Sequence, residues 1–270
     1  MRHPRRSVGL HRPKPILPAV PSITDEALCI RVWDWSETSQ TVSLFTRTHG
    51  VLRGLAKGSK RPTSKFSGGI ELLTLGEVVA IVKPSSELAT LTDWNLTALY
   101  PGLRNNLQAF HAAMYAADLV GHALRDADPH PAWFDAARDT LAALRPGAVL
   151  APLAAFQWTS LVEAGYKPEL NTDIVTGEPL AKAGSYYFLP RSGGLCVAPT
   201  DPAAPAWRIR AETLDSLREY ERTKSFQETN NNLSRVNRFL ASYWREILGL
   251  EIPTFRVMFG SDSHAGSGSR

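Results

Sequence analysis

Several features that mark enzymes, membrane proteins and secreted proteins are scarce or missing in this sequence. Only two of its 270 residues are cysteines, Cys29 and Cys196. We therefore do not expect a disulfide framework. We expect the protein to occur in a reducing, cytosolic compartment. No run of about 18 apolar residues occurs, so we expect neither a membrane span nor a membrane partner.

Motifs of known catalytic chemistry are missing as well. The sequence has no G-x-x-x-x-G-K-S/T phosphate loop, no G-x-G-x-x-G, no H-E-x-x-H and no G-x-S-x-G. We therefore predict no catalytic residue, no metal and no cofactor, and expect a binding protein. The alternative is a nucleic-acid-processing enzyme, such as a nuclease or an RNA-processing factor, whose active site matches none of these motifs. Metal-dependent cleavage would favour that alternative.

Acidic residues are missing from two stretches rich in Lys and Arg. The first 22 residues carry five cations and no acid, and the segment Arg47–Ile70 carries six cations and no acid. The net charge of the whole chain is only +4, and such clustering indicates a surface that faces a polyanion. We interpret residues 1–22 as a disordered basic arm and the Gly/Ser-rich residues 261–270 as a flexible tail.

Residues 23–95 have the pattern of an all-β domain. Apolar, β-branched runs predict strands at 27–33, 42–46, 51–56, 70–83 and 86–95, with Gly50 in a hairpin between the second and the third. Five short strands in this length are typical of a small Greek-key barrel of the OB type. Such barrels bind single-stranded nucleic acid with basic grooves and aromatic side chains.

The candidate DNA contacts of this domain are the cations of the hairpin and of the Gly-flanked loop after it. Lysine and arginine neutralise phosphates and release counterions. The contrasting interpretation is a charged loop that only keeps a sheet edge soluble. The six candidates are Arg47, Arg53, Lys57, Lys60, Arg61 and Lys65. Of the aromatic residues that could stack on bases, Trp33, Trp35, Phe45 and Phe66, we expect Trp35 and Phe66 to be exposed because they adjoin polar turns.

Residues 96–165 and 206–260 have helical periodicity and are expected to form one helical domain. Apolar residues recur at spacings of three and four in 107–124, 132–144, 150–164 and 233–248. The last stripe is wide enough to require another helix surface. Its polar face carries Arg235, Arg238 and Arg245, which could extend a nucleic-acid track, although a solvated face is the usual explanation.

The most irregular part of the basic stretch resembles a known family. The segments Leu44–Phe45–Thr46–Arg47–Thr48–His49–Gly50 and Ala56–Lys57–Gly58, with Arg61–Pro62, Ser64, Phe66 and Gly68–Gly69, are similar to the N-terminal domain of the RecO family of recombination mediators. The resemblance implies an OB-fold barrel, a helical domain and a nucleoid-associated protein of DNA repair. It further implies binding of single-stranded and possibly double-stranded DNA, and strand annealing. It also implies RecA loading with RecR and contact with the C-terminal tail of single-strand-binding protein.

The same resemblance places a zinc-ribbon-like knuckle in residues 166–205, inserted into the helical domain. The positions that would supply four cysteine ligands are occupied by Asp173, Thr176, Cys196 and Pro199. Threonine is a poor zinc ligand and proline has no donor, so the sequence predicts a degenerate knuckle without structural zinc.

Overall fold

We describe the protein from a computed structural model, in which residues 22–66, 68–83, 85–201 and 203–260 are described. Residues 1–21 of the expected basic arm and the expected tail at 261–270 lie outside this part of the chain, and Ser22 already belongs to the first strand. The chain combines an N-terminal β-barrel with a C-terminal helical part that contains a small sheet, which makes it a mixed α+β protein. The domain bounds stay a prediction.

The barrel consists of five strands that close on themselves in the order β1-β2-β3-β5-β4. Four of the pairings are antiparallel, and β3 and β5 pair in parallel. The predicted hairpin is confirmed, since Phe45 pairs with Val51 across it. The predicted strand at 70–83 is shorter than expected: a turn at Leu72–Leu73 precedes its start at Leu75, and it ends at Ile81. The strands are β1 (Ser22–Asp34), β2 (Gln40–Thr46), β3 (Gly50–Ala56), β4 (Leu75–Ile81) and β5 (Ala89–Ala98).

Alternate side chains of these strands fill the barrel, and the others pack against the helices. Leu44 and Trp94 are buried inside the barrel, whereas Phe45 belongs to the core shared with the helices. The Trp94 ring lies over Gly76, where a Cβ atom would come within 2.5 Å of it. Phe66 also enters the barrel core and is only 5% exposed. The expectation that Phe66 is exposed was wrong, because its ring packs among the apolar side chains of the barrel core.

The helical part contains seven helices in the described residues. The predicted helices at 107–124, 132–144, 150–164 and 233–248 are confirmed. Asn106 accepts the N–H of Ala109 (2.7 Å) at the start of the second helix, and Gly249 ends the sixth with φ +65°. The helices are α1 (Pro101–Arg104), α2 (Leu107–Ala123), α3 (Pro131–Ala143), α4 (Leu150–Glu163), α5 (Ala211–Thr223), α6 (Leu233–Leu248) and α7 (Phe255–Phe259).

Helix α6 packs against α3 and α4, which lie 70 residues or more before it in the sequence. Its wide apolar stripe requires such a partner surface. Its Trp244 packs against Trp133 of α3 with 5.5 Å between ring centroids, and donates Nε1–H to Ser160 Oγ of α4 (3.0 Å). Its Asn237 accepts a hydrogen bond from the buried Gln157 amide of α4 (2.8 Å). These buried polar contacts are satisfied and fix the register of α6 on α4. No helix of the described residues is both long and apolar enough to cross a membrane.

A four-stranded sheet is inserted between α4 and α5. Its strands are β6 (Glu169–Asp173), β7 (Ser185–Leu189), β8 (Gly194–Cys196) and β9 (Trp207–Arg210), in the order β6-β8-β7-β9. The prediction that residues 206–260 are helical throughout was wrong at its start, because β9 pairs with β7. Burial alternates along β9, with Ile209 inside and Arg208 and Arg210 exposed. Four residues are too few for that alternation to be recognised in the sequence.

Candidate nucleic-acid interface

The structure divides the six predicted DNA contacts between different parts of the barrel. Arg47 lies in the β2–β3 turn and Arg53 lies within β3. The other four, Lys57, Lys60, Arg61 and Lys65, lie in the loop that follows β3. Because the seven residues of β3 separate the two ends, Arg47 and the loop are roughly 20 Å apart along the strand. The six therefore do not form one cluster.

A buried amide holds the loop between β3 and β4 in shape. Gln40, at the start of β2, accepts hydrogen bonds at Oε1 from Ser59 Oγ (2.9 Å) and from the N–H of Ile70 (3.0 Å). Its Nε2 donates to the carbonyl of Ile70 (3.1 Å). One side chain thus ties the first and last parts of the loop to the barrel. Sequence reasoning missed Gln40, since its partners lie 19 and 30 residues away.

Three of the four loop cations have no acidic partner among the described residues. The exposed side chains of Lys57, Arg61 and Lys65 form no ion pair there, whereas Lys60 pairs with Asp34 at the end of β1. The loop backbone is nevertheless ordered by its own hydrogen bonds, including Ser64 Oγ to the carbonyl of Ser59 (2.7 Å). The three cations are thus uncompensated charges on an ordered loop.

An exposed tryptophan lies at the same end of the barrel. The β1–β2 turn contains Trp35, whose side chain is 64% exposed, as predicted. This turn contacts the loop directly, since the carbonyl of Thr38 accepts the N–H of Lys60 (3.1 Å). We call Trp35, Lys57, Arg61 and Lys65 the loop surface. It places a large aromatic face beside uncompensated positive charge.

A groove on the outer face of β1, β2 and β3 adjoins the helices. Its volume is about 460 Å³, and it is lined by Trp33, Arg53 and Leu88, among others, with Gly121 of α2 on the far side. Trp33 is 52% exposed. The guanidinium of Arg53 forms a 3.3 Å ion pair with Asp126, in the link after α2. Arg53 therefore lines this groove, but its charge already has a partner.

The β2–β3 turn attaches the barrel to the helices. Arg47 donates from Nε and Nη2 to the two carboxylate oxygens of Asp135 in α3 (3.2 and 2.9 Å). Phe45 packs edge-on against Phe134 with 5.5 Å between ring centroids. At Gly50, where φ is +69°, a Cβ atom would lie 2.4 Å from the backbone of Asp128. The Leu44–Gly50 segment is therefore a docking site for the helical part.

A buried carboxylate fixes the same turn to β1. Asp25 accepts hydrogen bonds from His49 Nδ1 (2.7 Å) and from the N–H and hydroxyl of Thr48 (2.9 Å each). Burial by itself would raise the pKa of Asp25, but the hydrogen bonds from His49 and Thr48 outweigh it and lower the pKa. Asp25 is thus held ionised at neutral pH and pins the turn that carries Arg47.

The residues of the knuckle do not fit a zinc ion. The described residues contain no group of three or more His, Cys, Asp or Glu placed to hold a metal. At the first ligand position, the Asp173 carboxylate accepts the N–H groups of Val175 (2.9 Å) and Thr176 (3.3 Å) from its own turn. Its other oxygen accepts the N–H of Val197 (2.9 Å) from the facing turn. Asp173 therefore joins the two turns that a bound metal would otherwise join.

The neighbouring Cys196 is buried, and its thiol is not activated. Burial, and then the negative charge of Asp173, raise the pKa of its thiol. Burial likewise raises the pKa of Cys29, in the barrel core, to about 12. Neither thiol has the lowered pKa of a reactive cysteine.

The sequence of the chain matches two family models and several known proteins. The chain matches the family model "Recombination protein O N terminal" over residues 21–100 and the model "Recombination protein O C terminal" over residues 104–254. It is 31% identical to the DNA repair protein RecO of Anaeromyxobacter sp. (strain Fw109-5), over 66% of this chain and 70% of that protein. For the DNA repair protein RecO of Rhodopirellula baltica the identity is 30%, over 72% and 73% of the two chains. For that of Halalkalibacterium halodurans it is 24%, over 86% and 92%. The chain therefore belongs to the RecO family of DNA repair proteins.

Proposed function

We propose that this protein is a non-catalytic mediator of DNA repair and recombination that binds single-stranded DNA through the loop surface. The observation that carries the proposal is an ordered loop with three uncompensated cations beside an exposed tryptophan. The five-stranded barrel supports an OB-type domain, a fold that binds oligonucleotides with its β2–β3 face and its β1–β2 loop, and the β1–β2 turn here carries Trp35.

The proposed mechanism is electrostatic and independent of base sequence. Lys57, Arg61 and Lys65 hold phosphates, and Trp35 stacks on a base. Because Gln40 orders the loop before DNA binds, little conformational entropy is lost on binding. Lys60, Arg47 and Arg53 contribute only where DNA phosphates replace the carboxylates that hold them, and we rank them below the three uncompensated cations.

The wider role rests on the family. We propose that the protein acts in the cytoplasm and anneals complementary strands. With RecR, it would help to load RecA onto DNA coated with single-strand-binding protein, whose acidic tail would bind the helical part. Neither nucleotide nor metal is required in this scheme.

Charge reversal on the loop tests the proposal. The double variant Lys57→Glu/Arg61→Glu is expected to bind single-stranded DNA more weakly and to flatten the salt dependence of binding. With about 0.7 of log-log slope per phosphate contact, the loss is about 1.4. Fluorescence anisotropy with a labelled oligothymidylate at several salt concentrations measures both quantities.

A matched control keeps the change in net charge equal. Arg145→Glu/Arg222→Glu reverses two exposed cations, in the α3–α4 turn and at the end of α5. This control should bind with the affinity and slope of the wild type. Equal effects of the two double variants would mean that only net charge matters, and the loop surface would then not be the site. Cleavage of the oligonucleotide when divalent metal is added would instead support an enzyme.

A further inference from the structure

A second cationic groove lies between β9 and α6, on the helical part of the molecule. Its volume is about 330 Å³. Five arginines and several apolar side chains line it, and no acidic residue in the described part of the chain does. The arginines are Arg208, Arg210, Arg235, Arg238 and Arg245.

The helical repeat places three of the arginines in this groove, and the alternation of a β-strand places the other two. On α6, Arg235, Arg238 and Arg245 are separated by three and seven residues and so lie on one helical face. On β9, Arg208 and Arg210 alternate with the more buried Trp207 and Ile209. The helical stripe extends over about 15 Å at 1.5 Å per residue. A single small anion would not cover it.

Most of these guanidinium groups donate to neutral oxygens, and within residues 203–260 and the other described ranges they have no acidic partner. Arg208 Nε donates to Ser185 Oγ (3.0 Å), and Arg235 Nη1 donates to Asn232 Oδ1 (2.8 Å). Arg238 donates to the carbonyl of Phe259. Arg245 pairs with Glu251, which lies outside the lining (3.2 Å). A guanidinium has five N–H groups, so Arg208, Arg235 and Arg238 keep donors for an anion beyond the bonds above.

Like charges on one helical face destabilise a helix unless an anion compensates them. The floor beneath the arginines is apolar, with Ile209 and Phe239 buried and Trp207 half-buried. Planar guanidinium groups bind phosphates and stack on bases, and an aromatic floor accepts unstacked bases. The combination suits an extended, repeating anion with flat apolar groups.

We infer that this groove binds a second segment of single-stranded nucleic acid, through its phosphates and bases. The inference rests on the proposed function, because it gives one chain a second strand to hold. The two surfaces are carried by different elements: the barrel contacts α2 and α3, and the groove is built from β9 and α6. A strand in the groove would leave the loop surface open to its complement.

Binding stoichiometry tests the inference. The probe is a labelled oligothymidylate of about eight nucleotides, within the usual footprint of one OB barrel. The wild-type chain should bind two oligonucleotides at saturation. Arg235→Gln/Arg238→Gln should bind one, and so should the loop variant Lys57→Glu/Arg61→Glu. The control Arg145→Gln/Arg222→Gln should still bind two, and thermal melts by circular dichroism check that every variant is folded.

A direct readout locates the second strand. Photocrosslinking of an iodouracil-containing oligonucleotide, followed by peptide mapping, should label peptides with Trp207 or the arginines of α6 in the loop variant. The inference is overturned if the wild type binds one oligonucleotide and the groove variant binds equally well. It is also overturned if the groove variant loses only binding of an acidic polyglutamate peptide, which would make the groove a protein-binding surface. A wild type that binds no oligonucleotide would overturn the proposed function as well.

Discussion

Replacing Asp173 with alanine should destabilise the knuckle, because one carboxylate joins both of its turns. The carboxylate accepts three backbone N–H groups, from Val175, Thr176 and Val197. An acidic or hydroxyl cap contributes about 1 kcal/mol when it accepts a backbone N–H. Three such bonds therefore suggest a loss of about 3 kcal/mol for Asp173→Ala. Asp201→Ala is the matched control, since this exposed carboxylate accepts a single N–H among the described residues, that of Ala203, and its loss should cost below about 1 kcal/mol.

Hydrogen exchange resolves this effect even if the knuckle opens without global unfolding. A loss of about 3 kcal/mol lowers amide protection roughly 100-fold, and the amides to follow are those of Val175, Thr176 and Val197. Their exchange should stay close to wild type in Asp201→Ala. Unchanged protection of these three amides in Asp173→Ala would refute the structural role of the carboxylate.

Acid should act on the wild-type knuckle in the same direction. Burial alone would raise the pKa of Asp173, but the N–H groups of Val197, Val175 and Thr176 outweigh it and lower the pKa. A lowered pKa adds stability above the ordinary value of about 3.9, and that stability is lost as the pH falls through the folded value. Asp173→Ala should lack this dependence.

Elemental analysis of protein purified without chelator should find no stoichiometric zinc, and about one zinc per chain would contradict the metal-free knuckle.

Two further changes test the docking of the barrel on the helices. Gly50→Ala should lower the free energy of unfolding by at least about 2 kcal/mol, because it adds a clash with the Asp128 backbone to the strain of a positive φ. Gly147→Ala, at φ +76° with nothing within 4 Å, carries the strain alone, and an equal loss in urea denaturation would rule out the close approach. Since the pKa of Asp25 is lowered, its stabilising effect is present above the ordinary value of about 3.9, and wild-type stability should fall relative to Asp25→Asn as the pH drops below that value through the folded one. Parallel acid titrations of the two proteins would contradict the role of its bond to His49.

Local patterns in the sequence predicted the regular elements well. In 233–248, apolar residues recur at spacings of three and four over a stretch long enough that single exceptions do not hide the pattern. Helix α6 lies at those residues. The glycine between two β-branched runs likewise predicted the β2–β3 hairpin. Both patterns depend only on which neighbours in the chain share a face, and this is fixed by helix and strand geometry. Strand β9 was missed because its pattern contains only four residues.

The candidate site could be predicted only in part, because charge is visible in a sequence and its compensation is not. The run of cations identified Lys57, Arg61 and Lys65. The partner of Arg47 lies 88 residues away, and the partner of Gln40 at Ile70 lies 30 residues away. No local spacing rule reports such pairs. Phe66 was misplaced for a similar reason, since a polar neighbourhood in sequence says little about whether a ring is buried in a core.

The contacts divide the basic stretch into two parts with different roles. In Leu44–Gly50, an aromatic contact, a bidentate ion pair and a close glycine contact all join the barrel to α3 and its preceding link. In Lys57–Lys65, the backbone is ordered, and three of the four cations have no acidic partner among the described residues. Because both parts flank the single strand β3, the docking of the first part fixes where the second part points. A DNA strand on the loop surface would then be held in a defined position relative to the helical part. A second strand in the groove at α6 would then lie at a fixed distance from the first, so loosening the turn at Gly50 would impair pairing of two strands more than binding of one.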